Sequence, residues 1–428
     1  MQSAAAAAGA RRLSAASDRV NLGFIGLGLR GTFLRRLFQS MPDVNVVAGA
    51  DLYDGHLETS REDTGGKMKL GKEYRAVLDN RDVEAVVIAT PDHWHARMIL
   101  DALAAGKDVY CEKPMTWSPA EAQPIIQAAD RSDRILQIGS EARSTAMAQR
   151  AKHIVKSGVL GKINLVQHTA GMNTEDGAWR YAIPPDASPE TCKWEAFLGS
   201  APKIPWSAER FFRWRCWWDY SGGLATDLFV HLLTTLHEVT GAHLPRSVIS
   251  SGGVFTWKDG RTVPDLQTAV YDYPQEFQFL CMIDQGSAQG EPNTQLTFMG
   301  SEGTLVMGGK EAPLVLYHDR KPPVADRALS CWPRKMREEF LEKHGIAPDK
   351  WPVAIPKRQS EQVVFESDSN HPRNIGNYPH ARAFVDSAKQ RTPSVEDART
   401  GHRAALAAHM ANRAYRERRY IAFDENTL

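Results

Sequence analysis

The stretch Asn21–Gly31, NLGFIGLGLRG, constrains the fold more than any other part of the chain. A short apolar run, Leu22 to Ile25, meets Gly26-Leu27-Gly28-Leu29-Arg30-Gly31, and helix-forming residues (Phe33, Leu34, Leu37, Phe38) follow directly. In a strand–turn–helix unit of this kind the first glycine permits the tight turn. The second lets a pyrophosphate approach the backbone, and the third lets helix and strand pack closely. The phosphates then rest on the free N–H groups and positive end of the helix. A second strand, Val44 to Ala50, ends on Asp51, where a carboxylate can accept hydrogen bonds from the adenine ribose hydroxyls and repel a 2′-phosphate. The pattern points to a Rossmann-type dinucleotide site, and to NAD rather than NADP.

The first 140 residues continue to alternate between strand and helix patterns. A polar helix and loop (54–72) and Tyr74 to Leu78 precede the near-continuous apolar run Val83 to Ala89, as expected of a parallel strand covered on both faces. A helix (96–105), the strand Asp108 to Cys111, a helix (120–131) and the strand Ile135 to Ile138 complete the unit. Ligands of such sheets bind beyond the carboxyl ends of the strands, where Thr90-Pro91-Asp92-His93-Trp94-His95 and Glu112-Lys113-Pro114 lie. Thr90, Pro91, His93, His95, Glu112 and Lys113 are therefore expected around the cofactor, together with Gly26, Gly28, Leu29, Arg30, Gly31 and Asp51.

From about Ser140 the pattern changes. A helix (147–157), the strand Ile163 to His168 and a Pro- and Trp-rich loop (173–220) lead to a helix over Ala225 to Thr240. Strand-like runs follow at 248–255, 268–273, 277–283, 295–299 and 303–307, which predicts a predominantly antiparallel sheet covered on one face. Residues 311–378 read as a charged surface excursion with one helix (334–344), and helices at 381–389 and 395–415 close the chain. The expected organisation is an N-terminal Rossmann domain (19–140) followed by an α/β domain with a large open sheet (141–428). Residues 1–18 are alanine-rich and lack a full apolar core, yet Ser14-Ala15-Ala16 resembles a signal-cleavage site. They read as the remnant of an export signal, with a disordered arm on a cytoplasmic protein as the alternative.

A net charge of +1 argues against nucleic acid or an anionic membrane as partner. No apolar run is long enough to span a bilayer. Five scattered cysteines without a CxxC give neither a disulfide framework nor a zinc site.

Three groups could carry chemistry. Lys113, at a strand end where a second domain would enclose it, could hydrogen-bond a substrate hydroxyl; it could equally be an exposed loop lysine. Asp227 and His231 stand four apart on one helix, so an imidazole could take a hydroxyl proton while the carboxylate orients it. A surface or capping pair has the same spacing. His237, six residues beyond His231, falls off the common face, so no metal site is expected. In Arg213-Trp214-Arg215-Cys216-Trp217-Trp218-Asp219-Tyr220, the side chains of Arg213, Arg215, Trp217, Asp219 and Tyr220 could fork onto or stack against a sugar, or could simply pack a loop.

Taken in order, GLGLRG (26–31), ATPDHWH (89–95), AGKDVYCEKP (105–114), SGGLATDLFVH (221–231) and GHRAALAAHMANRAYR (401–416) resemble the Gfo/Idh/MocA family of oxidoreductases over nearly the whole chain. The resemblance implies hydride transfer between a sugar, polyol or glycoside CH–OH and NAD, with Lys113, Asp227 and His231 as the catalytic group. It also implies a homo-oligomer, dimer or tetramer. Many relatives carry a glycine between the Asp and the His, where this chain has Leu228-Phe229-Val230, so the pocket's shape is its own. A second activity belongs to the same resemblance: an NAD-dependent glycoside hydrolase or lyase that oxidises transiently, for example at C3, and regenerates its bound cofactor.

Overall fold

A computed structural model describes residues 19–288, 294–308, 314–318, 327–352, 359–363 and 376–424. The alanine-rich segment 1–18 and its expected export role lie outside the described residues.

The first unit runs β1 (Val20–Ile25), α1 (Leu29–Gln39), β2 (Val44–Ala50), α2 (Asp54–Thr64), β3 (Lys69–Gly71), α3 (Tyr74–Leu78), β4 (Ala85–Ile88), α4 (Asp92–Ala104), β5 (Asp108–Glu112), α5 (Ala122–Arg131) and β6 (Leu136–Gly139). All strand pairs are parallel, in the order β3-β2-β1-β4-β5-β6. The unbroken apolar runs are explained by burial on both faces: Leu22, Phe24, Val86 and Val87 are fully enclosed. One face is covered by α3, α4 and α5 through Val77, Ile99 and Ile125. The other carries α1, whose Phe38 ring lies edge-on to Phe24, Tyr110 and Phe384. Phe384 belongs to α11 (below), so this core draws on a segment more than two hundred residues away.

Two details differ from the sequence pattern. Lys69–Gly71 forms the edge strand β3 inside what read as loop, being only three residues long. Helix α4 starts at Asp92 rather than Ala96, because Pro91 occupies the N-cap and DHWH forms the first turn.

The second unit contains α6 (Ala146–Lys156), β7 (Ile163–Gly171), α7 (Trp194–Leu198), α8 (Ala208–Phe212), α9 (Val230–Thr240), β8 (Ser247–Gly253), β9 (Leu266–Tyr273), β10 (Phe277–Asp284), β11 (Thr294–Gly300), β12 (Gly303–Gly308), β13 (Leu314–His318), α10 (Arg334–Lys343), β14 (Gln359–Val363), α11 (Asn377–Gln390), α12 (Ala398–Glu417) and β15 (Ile421–Ala422). Its nine-stranded sheet has the order β14-β13-β12-β11-β7-β10-β9-β8-β15, antiparallel except for the parallel β7–β10 pair. Strands β13 and β14 extend it from within the segment read as a surface excursion. Phe277, Phe279, Cys281 and Ile283 point into a core shared with α6, α9 and α12, while Gln278, Leu280 and Met282 occupy the open face.

Helix α12 ties both units together. Ala398 packs in the Rossmann core, Arg399 pairs with Asp130, and the His409 ring meets Thr116 after β5. The Asn412 side-chain amide donates to the Gly222 carbonyl at 2.6 Å.

Candidate active site

The glycine turn is required by the fold at two of its three glycines. Gly26 has φ +88°, and a Cβ there would lie 2.6 Å from the Ala89 carbonyl oxygen; a Cβ on Gly31 would collide with the Gly26 carbonyl. At Gly28 a Cβ would meet only the His56 ring edge at 3.4 Å, so the chain itself could hold a side chain there. The glycine keeps open the space in front of α1, and no side chain caps the first turn of that helix. Its free N–H groups and positive end form a ready anion site. Leu29 is largely exposed beside it.

Asp51 follows β2. Its Oδ2 accepts the Leu27 N–H at 2.7 Å, and its Oδ1 accepts the Tyr53 N–H at 2.9 Å and lies 3.1 Å from His56 Nδ1. Burial works against charge on both partners. The Asp51–His56 attraction holds the imidazole high, and together with the Leu27 and Tyr53 N–H bonds it holds the carboxyl low. A cavity of about 350 Å³ extends from Gly26 and Gly28 past Asp51 and His56 to Trp94 and Phe211. Thr90 and Pro91 line it, and the buried Thr90 Oγ1 has no hydrogen-bond partner among the described residues. An uncapped helix end, a buried carboxylate at the tip of β2 and an orphaned hydroxyl fit the adenosine and phosphate portions of a dinucleotide. A larger cavity, about 510 Å³, lies beside α12, lined by Trp117, Trp218, Met410 and Arg416, away from the glycine turn.

The Pro- and Trp-rich segment closes the 350 Å³ cavity at the glycine turn from the second unit. Asp54 N–H and Leu52 C=O bond to Thr191 and Lys193, and Tyr53 Oη donates to Asp186 at 2.5 Å. The Phe197 carbonyl takes both the Trp94 indole N–H and His93 Nε2 at 2.9 Å.

Several expected cofactor residues are thereby placed in the frame of the site. His93 is wedged between Phe197 and Tyr220, and the His95 ring nitrogens lie 2.7 Å from the Pro114 carbonyl and 2.9 Å from that of Thr90, linking the two strand ends. Arg30 turns from the phosphate cradle to Glu112 (2.8 Å), Glu141 (3.5 Å) and Asn377 (2.9 Å). Burial disfavours its charge, but the two carboxylates overcome that and raise its pKa. Glu112 is consumed in this contact.

Lys113, Asp227 and Arg215 converge at the end of β5. Lys113 Nζ donates to Asp227 Oδ1 at 3.0 Å and to the Asp227 carbonyl at 2.7 Å, and Arg215 Nε donates to the same Oδ1 at 3.1 Å. One carboxylate is thus shared by two cations. Although burial opposes it, they hold Asp227 well below the usual carboxylate range. Asp227 sits on a π-helical turn (Ala225–Phe229) that leads into α9, so its offset from His231 is not that of a regular helix. Its hydrogen bonds run to Lys113 and Arg215 instead of to His231, unlike the arrangement expected from spacing. His231 is pushed down to about 4 by burial and then by Lys113, which leaves its imidazole neutral near pH 7.

Of the five expected sugar contacts, Arg215 alone joins this cluster. Arg213 Nε holds the Tyr181 carbonyl at 2.8 Å, Asp219 is paired with Arg210 at 2.7 Å, and Arg210 stacks over the buried Trp217. Tyr220 is fully buried against His93 and Phe197. Arginine and aromatic side chains serve a packed seam as readily as a sugar cleft. His56 and Asp92 were not singled out by sequence. His56 lies in a polar helix with no marker, whereas Asp92 is inside the ATPDHWH motif. Among the described residues no cluster of three or more His, Cys, Asp or Glu could hold a metal ion, and no helix is long and apolar enough to cross a membrane.

Comparison with known proteins agrees with this geometry. Residues 20–140 match the Gfo/Idh/MocA family model described as oxidoreductase family, NAD-binding Rossmann fold, and residues 144–245 match its C-terminal alpha/beta domain. Inositol 2-dehydrogenase of Salmonella typhimurium is 32% identical over 142 residues, 33% of this chain and 42% of that enzyme. The chain therefore spans less than half the length of that relative. The 2,7-anhydro-N-acetylneuraminate hydratase of Mediterraneibacter gnavus is 27% identical over 368 residues, 80% of this chain and 85% of the relative. A levoglucosan dehydrogenase solved with NADH and levoglucosan shares the fold, with a TM-score of 0.68 at 16% identity over 94% of this chain and 99% of its own.

Proposed function

Because this chain belongs to the Gfo/Idh/MocA oxidoreductase family and its first domain is of that family's NAD-binding type, we propose that it oxidises a CH–OH group of a sugar, polyol or glycoside. The observation that carries the reading is the Lys113–Asp227–Arg215 cluster at the carboxyl end of β5, with the neutral His231 on the adjoining helix. NAD⁺ supplies the hydride acceptor. Gly26, the uncapped start of α1 and Asp51 hold it, with Gly28 leaving room for its phosphates. His231 takes the proton of the reacting hydroxyl; its low pKa keeps a nitrogen lone pair free across neutral pH. Lys113, fixed by two hydrogen bonds to Asp227, presents positive charge where the alkoxide develops, and Arg215 adds to it. The Phe197 seam excludes water from the cofactor side. The substrate is a small carbohydrate. The open sheet face, with Leu280 and Met282, supports a homo-oligomer of two or four chains, checked by light scattering.

The test is His231→Ala against a sugar and polyol panel. NADH fluorescence titration is expected to be unchanged while sugar-dependent NADH formation falls by at least a hundredfold; undiminished turnover would end the assignment. The near full-length likeness to a hydratase favours keeping a second outcome in view. Release of aglycone from aryl glycosides without NADH accumulation would make the oxidation transient and the net reaction a cleavage.

A further inference from the structure

One carboxyl group stands against the Lys113–Asp227–Arg215 cluster without a cation of its own. Asp92, in the first turn of α4, is 2% exposed, and its Oδ2 accepts a long hydrogen bond from the Gly222 N–H at 3.3 Å. Gly222 lies just before the π-turn that carries Asp227. The neighbouring Tyr220 carbonyl accepts the His93 N–H at 3.3 Å, so the start of α4 and the 220–222 segment form one seam.

The charged and titratable groups near Asp92 come from every adjoining element: Asp227 from the π-turn, Cys111 from β5 and Lys113 just beyond it, Arg215 from the 214–216 turn. Lys113 and Arg215 are both committed to Asp227 by hydrogen bonds, so Asp92 faces them through space only. With Asp92 protonated the cluster carries one surplus positive charge; with Asp92 ionised it carries none.

We infer that Asp92 is the charge-setting positioning residue of this site, a buried carboxyl whose proton decides whether the Lys113–Arg215 pair meets the developing alkoxide with surplus positive charge. It acts through those two cations and need not touch the substrate. Burial first, and then the nearby Asp227, push its pKa up to about 7, so the change falls in the working range of pH. His231, unprotonated well below that range, contributes no slope there. The inference rests on the oxidation proposed above.

Asp92→Asn keeps the shape and fixes the neutral state. Wild-type kcat for the oxidation is expected to fall about tenfold as Asp92 ionises between pH 6 and 9, since one unit of charge near an alkoxide is worth at least a tenfold rate factor. The variant's kcat is expected to lack that fall. A second readout needs no substrate. A carboxyl with a raised pKa stabilises the fold fully only below its unfolded value of 3.8 and loses that contribution progressively as pH rises to about 7. Asp92→Asn should therefore melt no higher than the wild type near pH 4 and above it at pH 7.5. Asp92→Ser, also neutral but smaller, should show the same crossover if the amide variant folds poorly. Parallel pH–rate profiles, or melting differences independent of pH, would overturn the inference. Absence of any sugar-dependent NADH would instead refute the oxidation, leaving the melting crossover to decide on Asp92.

Discussion

The number of acceptor sites on Asp51 leads to a quantitative expectation for cofactor binding. A carboxylate has about four lone-pair sites. Leu27 N–H, Tyr53 N–H and His56 occupy three of them, leaving one for a ribose hydroxyl where two hydroxyls could otherwise be held. A hydrogen bond to a charged group contributes about 1.5–3 kcal/mol, which corresponds to a factor of about 10–150 in Kd. Asp51→Asn keeps the size of the side chain but removes the charge and one acceptor oxygen. NADH should then bind about 10- to 100-fold more weakly in a fluorescence titration at pH 7.5 and fixed salt. NADPH should lose less or gain, because the repulsion of its 2′-phosphate disappears and His56 is released from its partner. His56→Ala has the opposite sign: it frees one acceptor site on Asp51 Oδ1, which keeps the Tyr53 N–H, so NADH should bind no more weakly than to the wild type. If His56→Ala weakens NADH as much as Asp51→Asn does, the count of acceptor sites is wrong. If Asp51→Asn changes NADH affinity by less than threefold, Asp51 does not face the ribose.

Two further outcomes follow from the buried charges. Asp227→Asn leaves Lys113 and Arg215, with side chains only 10% and 23% exposed, without their shared carboxylate. It should cost about 3 kcal/mol by urea denaturation, and a change under about 1 kcal/mol would refute the shared-carboxylate account. Acid should also destabilise the fold. His93, His231, His380, His402 and His409 are pushed down to about 4 and His237 to about 3, chiefly by burial. The unfolded chain takes up these protons near pH 6.5, whereas the folded one resists until about 4. Stability present above pH 6.5 is therefore lost as pH falls toward 4, by roughly 1.4 kcal/mol per histidine at pH 5.5. Asp92 and Glu396, raised to about 7 and about 8 mainly by burial, offset part of this. A urea midpoint at pH 5.5 equal to or above that at pH 7.5 would refute the balance.

Much of this architecture was legible because its signals are local. The glycine turn, the doubly buried strands and the end of β2 at Asp51 each lie within a few adjacent residues, so periodicity and residue type suffice. What escaped depends on distant partners. Strands β13 and β14 pair with each other from well-separated parts of the sequence, and each is only five residues long. The roles of Arg210, Asp219 and Trp217 follow from which guanidinium stacks on which ring, which composition does not encode. Asp92 reads as one polar residue of the strand-end segment 90–95, ahead of the helix expected at 96–105. Its isolation depends on Asp227, distant in sequence, having already claimed both nearby cations.

The packing of α11 has a consequence for how the chain is made. Ala381, Phe384 and Val385 lie in the same apolar cluster as Phe24, Phe38 and Tyr110. The nucleotide-binding sheet therefore stays bare on part of one face after all six of its strands have been synthesised. A chain ending near residue 140 would present that face to water, and the loop that must close to cover it runs through eight of the nine strands of the second sheet. Such long-range closure slows folding and prolongs exposure of an apolar surface. The glycine turn, read first in the sequence, is among the parts whose surroundings are completed last.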